Sequence, residues 1–186
     1  QPLHVGAVGV DTTTRLAQRS KACKSKVLIA ADEGLRGGKQ VPLKADVDAA
    51  LANHDAVDWV VVVKRTGGKI DMNPSRDLWY HEAAAMVTTE CPAEHMHAED
   101  PLFILYTSGS TGQPKGVINT QRMLTSNHEM ILSALAYFRD EPPIVLDWAP
   151  WHHTAGGNHD VYLVLYNGGT FYVDDGKPEP RAIRAT

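Results

Sequence analysis

The 186-residue chain carries 18 Lys and Arg against 22 Asp and Glu, a net charge of −4 that excludes a nucleic-acid footprint and a polybasic membrane patch. At 43% hydrophobic and 22% charged residues it reads as one soluble globular domain with a real core, and no apolar run reaches the length of a membrane span. The two cysteines, Cys23 and Cys91, lack metal-ligand spacing and fit a reducing, cytoplasmic compartment. No charged-then-apolar leader opens the chain at Gln1-Pro2-Leu3, and both ends are expected to be cuts through a longer chain.

Apolar runs alternate with amphipathic stretches, which predicts an α/β fold: a mostly parallel sheet with flanking helices. Lys26 to Ala31 reads as a short buried strand broken by Asp32-Glu33-Gly34. Lys44 to Asn53 reads as a helix, because Val47, Ala50 and Leu51 fall on one face. Trp59 to Lys64 is β-branched and continuously apolar, so it predicts a strand covered on both faces. A helix is expected from about Leu78. Leu102 to Tyr106 predicts a strand leading into a loop. A long helix from Thr120 to Tyr137 follows, capped by Asn119 or Thr120, with Leu124, Met130, Ile131, Leu135 and Ala136 as its apolar stripe. Ile144 to Asp147 and Thr170 to Asp174 read as strands. By periodicity alone, Val161 to Tyr166 is either strand or helix.

The densest chemistry lies in residues 106–117, Tyr106-Thr107-Ser108-Gly109-Ser110-Thr111-Gly112-Gln113-Pro114-Lys115-Gly116-Val117. Glycines let a backbone approach an anion closely, and successive N–H groups can then form a concave nest. Thr107, Ser108, Ser110 and Thr111 add hydroxyl donors, and Lys115 adds a mobile positive charge. The order differs from a Walker A loop, in which Ser or Thr follows Gly-Lys directly; here Gly116 follows Lys115. A strand-loop-helix order around Lys115 would place the loop where ligands collect, at the carboxyl ends of strands.

Other clusters carry less. His152, His153 and His159 lie close in sequence to Asp147 and Asp160, but no HExxH or comparable spacing is present, so no metal site is assigned. His95-Met96-His97 reads as a solvated loop. Asp174-Asp175-Gly176 lacks the rest of a calcium loop and reads as a strand end.

The string YTSGSTGQPKGV resembles the phosphate-binding loop of the AMP-forming acyl-CoA synthetases and their adenylate-forming relatives. From about Lys26 to Val117, KVLIAADEG, VVVVKRTGGKID, RDLWYHE and AEDPLFILYTSGSTG look like acetyl-CoA synthetase. From about Ile118 onward, INTQRML, DWAPWHHTAGGNHD and VLYNGGTFYVDDGKP look more like feruloyl-CoA synthase. Residues 1 to about 25 match poorly and remain unassigned.

The resemblance implies that residues 1–186 are part of an AMP-binding (adenylation) domain, without the small C-terminal lid domain that carries the family's catalytic lysine. It implies an ATP-dependent carboxylate–CoA ligase, in which a carboxylate attacks the α-phosphate of ATP. Acyl-AMP and pyrophosphate result, and the thiol of coenzyme A then displaces AMP. Acetate or a hydroxycinnamate would be the substrate, and Mg2+ would accompany ATP. Thr107, Ser108, Gly109, Ser110, Thr111, Gly112 and Lys115 would hold the β- and γ-phosphates. A Pro-x-x-His segment borders the acyl pocket in the family; Pro150, Trp151 and His153 occupy its positions, and tryptophans there could form a flat wall for an aromatic acid. The resemblance also favours a helix over Val161 to Tyr166, stopped by Gly168-Gly169. The competing expectation is a nucleotide-binding remnant without turnover, because the family's adenine, ribose, hinge and lysine motifs do not occur within these residues.

Overall fold

The computed structural model describes residues 5–7, 13–36, 39–53, 55–107, 115–151 and 153–174. The chain divides into two compact units, Gln1–Pro92 and Ala93–Thr186.

The first unit is built on β1 (Val5–Ala7), α1 (Thr13–Ala22), β2 (Val27–Ala31), β3 (Gly34–Arg36), β4 (Lys39–Val41), α2 (Leu43–Leu51), β5 (Trp59–Val63), β6 (Asp77–Trp79) and α3 (Tyr80–Ala85). Strands β1, β2, β5 and β6 form a parallel sheet in the order β1-β2-β5-β6, while β3 and β4 form a separate antiparallel pair. Leu28 and Ala30 of β2, Val60 and Val62 of β5, Val47, Ala50 and Leu51 of α2, and Leu16 of α1 make one core. The expected β2, α2 and β5 are therefore present. Coverage of β5 on both faces is not: burial alternates along the strand, with Val60 and Val62 fully buried but Trp59 46% exposed. The core residues of α1 and α2 cover one face, and period-two geometry turns the other outward. The expected helix start at Leu78 also moves, because Val60 to Val62 pair with Asp77 to Trp79 and draw them into the sheet edge. The helix begins at Tyr80.

Two buried charged clusters tie this unit together. Asp32, fully buried at the end of β2, accepts hydrogen bonds from the backbone N–H groups of Glu33, Arg65, Thr66 and Gly67 at 2.8, 2.9, 3.2 and 2.8 Å. The carboxylate thus pins the turn after β2 to the turn after β5. Burial pushes its pKa up, but the four N–H donors outweigh burial and hold it at about 2. The second cluster centres on Lys44, 1% exposed, whose ammonium meets Asp48 at 2.7 Å, Asp77 at 2.8 Å and the Asp71 carbonyl at 3.0 Å. Arg76 closes it from the other side, with Nε 2.7 Å from Asp77 and the guanidinium also on Asp48. Burial raises the pKa of Asp77, yet the bonds from Arg76, Lys44 and the Asn73 N–H prevail and lower it.

The second unit contains β7 (Pro101–Thr107), β8 (Lys115–Thr120), α4 (Gln121–Ala134), a 3-10 turn (Ala136–Arg139), β9 (Ile144–Asp147), a π-helical turn (Ala155–Val161), α5 (Tyr162–Asn167) and β10 (Thr170–Val173). Strand β9 pairs in parallel with β10, and β7 pairs antiparallel with β8. Among the described residues four of the six strand pairings are parallel, so the fold is α/β with a mostly parallel character.

Helix α4 starts where expected, with Thr120 Oγ1 accepting the Met123 N–H at 3.4 Å as its N-cap. Its buried stripe shares only Leu124 with the expected one. Leu124, His128 and Leu132 face inward at four-residue spacing, whereas Met130 is 68% exposed. The helix also stops earlier, at Ala134, where Leu135 leaves helical geometry before the 3-10 turn. Residues 161–166 are helical, and Gly168 ends α5 with φ +66°, a left-handed stop suited to glycine.

Candidate functional site

The apolar run before the candidate phosphate loop forms β7 as expected, but the segment after the loop is a strand rather than a helix. In the β7–β8 hairpin Thr107 lies opposite Lys115, Tyr106 opposite Gly116, and Leu105 opposite Val117. The expected strand-loop-helix order is corrected to strand-loop-strand-helix, with α4 beginning only at Gln121. Periodicity gives no hint of this, since residues 115–120 are too short and mixed to show alternation.

Residues 108–114 lie outside the described residues, and with them Ser108, Gly109, Ser110, Thr111 and Gly112. The hairpin nonetheless fixes both anchors of the loop. The Thr107 and Lys115 backbones are paired across the strands at its mouth. Lys115 is exposed and makes no ion pair with a described residue. Gly116 serves packing: a Cβ there would lie 3.0 Å from Ile104 Cγ2 and 3.2 Å from Tyr106 Cζ. Its lack of a side chain lets the tyrosine ring close over the hairpin.

The Trp148 to Thr154 segment leaves β9 and enters the π-helical turn. Asp147 Oδ1 accepts the Ala149 N–H at 2.7 Å and starts the turn. The His153 N–H donates to the Pro150 carbonyl at 2.8 Å, and the His153 carbonyl accepts from the Gly157 N–H at 2.8 Å. A Cβ on Gly157 would sit 2.2 Å from the Trp151 carbonyl oxygen, so only glycine allows the loop to lie this close to the π-helical turn. Trp151 is 58% exposed and meets Phe171 edge to face at 5.7 Å. His153 is exposed, and its Nδ1 accepts the Ala155 N–H at 3.3 Å. Trp151 and His153 therefore share one braced loop with an accessible rim. A π-helical turn beside such a loop is a frequent feature of functional sites.

His159 and Asp160 form an exposed pair, with Nδ1 2.7 Å from Oδ1. His152 lies outside the described residues. No group of three or more His, Cys, Asp or Glu is placed to hold a metal among the described residues. No helix among them is long and apolar enough to cross a membrane.

Reading the sequence missed the most constrained polar residues: Asp32, the Lys44–Asp77 pair and His128. Asp32 had a visible signal, an acidic residue directly after a strand and two residues before a glycine, which suits a side chain that caps backbone N–H groups. The Lys44–Asp77 contact had none, because charged residues are seldom buried and these two lie far apart in sequence.

Comparison with known proteins agrees with the motif. A family model described as AMP-binding enzyme matches residues 10–185. That match reaches back into the N-terminal stretch left unassigned from sequence. The chain is 62% identical over 167 residues to an acetyl-coenzyme A synthetase of Bradyrhizobium diazoefficiens, covering 88% of this chain and 25% of the relative. It is 81% identical over 105 residues to an acetyl-coenzyme A synthetase of Bradyrhizobium sp. (strain ORS 278), covering 56% and 16%. With an acetyl-coenzyme A synthetase of Xanthobacter autotrophicus it shares 51% identity over 180 residues, covering 95% and 27%. Similarity to acetyl-CoA synthetases therefore runs well past Val117. The chain spans about a quarter or less of the length of these relatives. With its phosphate-loop string anchored in a hairpin and the family match running almost end to end, the chain belongs to the AMP-binding enzyme family.

Proposed function

We propose that the chain is the triphosphate-gripping part of an ATP-dependent carboxylate–CoA ligase, within an adenylation domain whose lid lies elsewhere. The observation that carries this reading is the 106–117 string at a hairpin mouth, where exposed Lys115 pairs through its backbone with Thr107. Thr107, Ser108, Gly109, Ser110, Thr111, Gly112 and Lys115 hold the β- and γ-phosphates. Mg2+ arrives with ATP and offsets the triphosphate charge. In the parent reaction a carboxylate oxygen bonds to the α-phosphorus as the bond to pyrophosphate breaks. Coenzyme A thiol then takes the acyl group and releases AMP. The chemistry takes place in the cytoplasm.

Acetate is the substrate favoured by the names of the similar proteins. A hydroxycinnamate is the second reading, favoured by the exposed Trp148 and Trp151 beside His153, which offer aromatic surface to a planar acid. A remnant that binds nucleotide without turnover is separated from both by acyl-AMP formation.

Lys115→Ala is expected to weaken Mg-ATP binding roughly 10- to 100-fold, the scale of a lost charge-assisted contact. A calorimetric titration checks this, and an affinity equal to wild type would remove Lys115 from the site.

A further inference from the structure

His128 is the one polar member of the buried stripe of α4, and it is fully buried. Neither ring nitrogen has a hydrogen-bond partner at bonding geometry among the described residues. The imidazole instead lies against two rings of α5: Tyr166, stacked at 5.3 Å and 22°, and Tyr162, tilted at 4.8 Å. It is thus the buried contact between α4 and α5, beside the exposed Tyr166–Glu129 hydrogen bond, and through the continuous π-helical turn it bears on the Trp151–His153 loop.

A neutral imidazole suits that position and a charged one does not. Imidazolium needs an acceptor for each N–H, and neither ring nitrogen has one among the described residues. Glu129, the acid nearest in sequence on α4, is engaged by Arg139 at 2.9 Å and by the Tyr166 hydroxyl at 3.0 Å. From the π-helical turn the groups bearing on the ring are the Asn158 backbone, which favours the charged form, and His159, which opposes it. Asp160 is paired with His159. The faces of Tyr162 and Tyr166 attract a cation, but by less than burying an unpaired charge costs.

We propose that His128 is a pH-sensitive latch: protonation of its ring releases α5 and the π-helical turn from α4, and with them the seat of the Trp151–His153 loop. Burial holds the His128 pKa below the ordinary histidine value, with the Asn158 backbone opposing and His159 reinforcing. A lowered folded-state pKa means the latch holds fully above the unfolded value of about 6.5 and weakens as pH falls below it. The effect on acyl binding rests on the pocket reading given above; the latch does not.

The test is amide hydrogen exchange of the full chain from pH 7.5 to 5, expressed as protection factors. The expected result is a tenfold or greater loss of protection in α5 on acidification, while α2 and β5 keep theirs. His128→Phe, which keeps an aromatic ring without a titrating group, should hold α5 protection constant with pH, whereas His159→Gln should retain the wild-type loss. Protection of α5 that is flat with pH in the wild type, or an unchanged loss in His128→Phe, overturns the latch. If His128→Phe does not fold, NMR titration of the His128 ring decides: an ordinary titration with unchanged Tyr162 and Tyr166 signals overturns it, and a titration that moves both supports it. Acetate and ferulate binding at pH 7.5 reports separately on the pocket.

Discussion

Lys44→Ala is expected to destabilise the first unit by about 3 kcal/mol, read as a shift of the urea midpoint followed by far-UV circular dichroism. Lys44 is 1% exposed and Asp77 has a fully buried side chain, so removing the ammonium strips a desolvated carboxylate of one of its two cationic partners. Breaking a buried pair from one side costs about 3–5 kcal/mol. The lower end applies here because Arg76 still holds Asp77 at 2.7 Å and the Asn73 N–H still donates to it at 2.8 Å. The geometry has a second consequence. Lys44→Met combined with Asp77→Leu removes both charges, and its cost should fall below the sum of the two single changes, since contacting residues couple. Strict additivity would mean that the pair contributes no interaction of its own.

Asp32→Asn is expected to cost about 2 kcal/mol at neutral pH and almost nothing near pH 2. The carboxylate accepts four backbone N–H bonds and holds the turns after β2 and β5 together. A neutral amide weakens those bonds and turns its own donors toward N–H groups. The sign follows from linkage. The folded-state pKa of about 2 lies below the ordinary aspartate value of 3.8, so the stabilisation is present above the unfolded value and is lost as pH falls through the folded one. A lowering of that size corresponds to about 2 kcal/mol. Urea melts of wild type and variant at a series of pH values isolate the effect, because other carboxylates titrate alike in both. A difference that stays constant down to pH 2.5 would show that Asp32 acts through shape rather than charge.

These two clusters also mark where sequence reading reaches its end. Strand β5 was legible because five consecutive aromatic and β-branched residues leave few alternatives, and α2 because Val47, Ala50 and Leu51 repeat at helical spacing. The start of α4 was legible through its cap, Thr120, and the end of α5 through Gly168. Pairing was not legible. Nothing in residues 115–120 says that they fold back on β7, or that Asp77 to Trp79 add to the sheet edge, since periodicity describes one segment and not its partner. His128 was passed over because the apolar stripe of α4 was drawn from apolar residues alone, while the helix buries whichever residue falls between Leu124 and Leu132. In the candidate site the string 106–117 points to anion binding through residue types alone. The bracing of Trp151 and His153 by Gly157 depends on backbone approach, which residue types alone do not reveal.

A thermal melt of the purified chain with and without Mg-ATP decides whether the proposed 106–117 loop grips nucleotide triphosphate. Only ligand that binds the native state raises the midpoint. The expected result is a cooperative transition that rises with Mg-ATP concentration in the wild type and rises far less in Lys115→Ala. A transition that Mg-ATP leaves unmoved, in a chain that otherwise melts cooperatively, would contradict it.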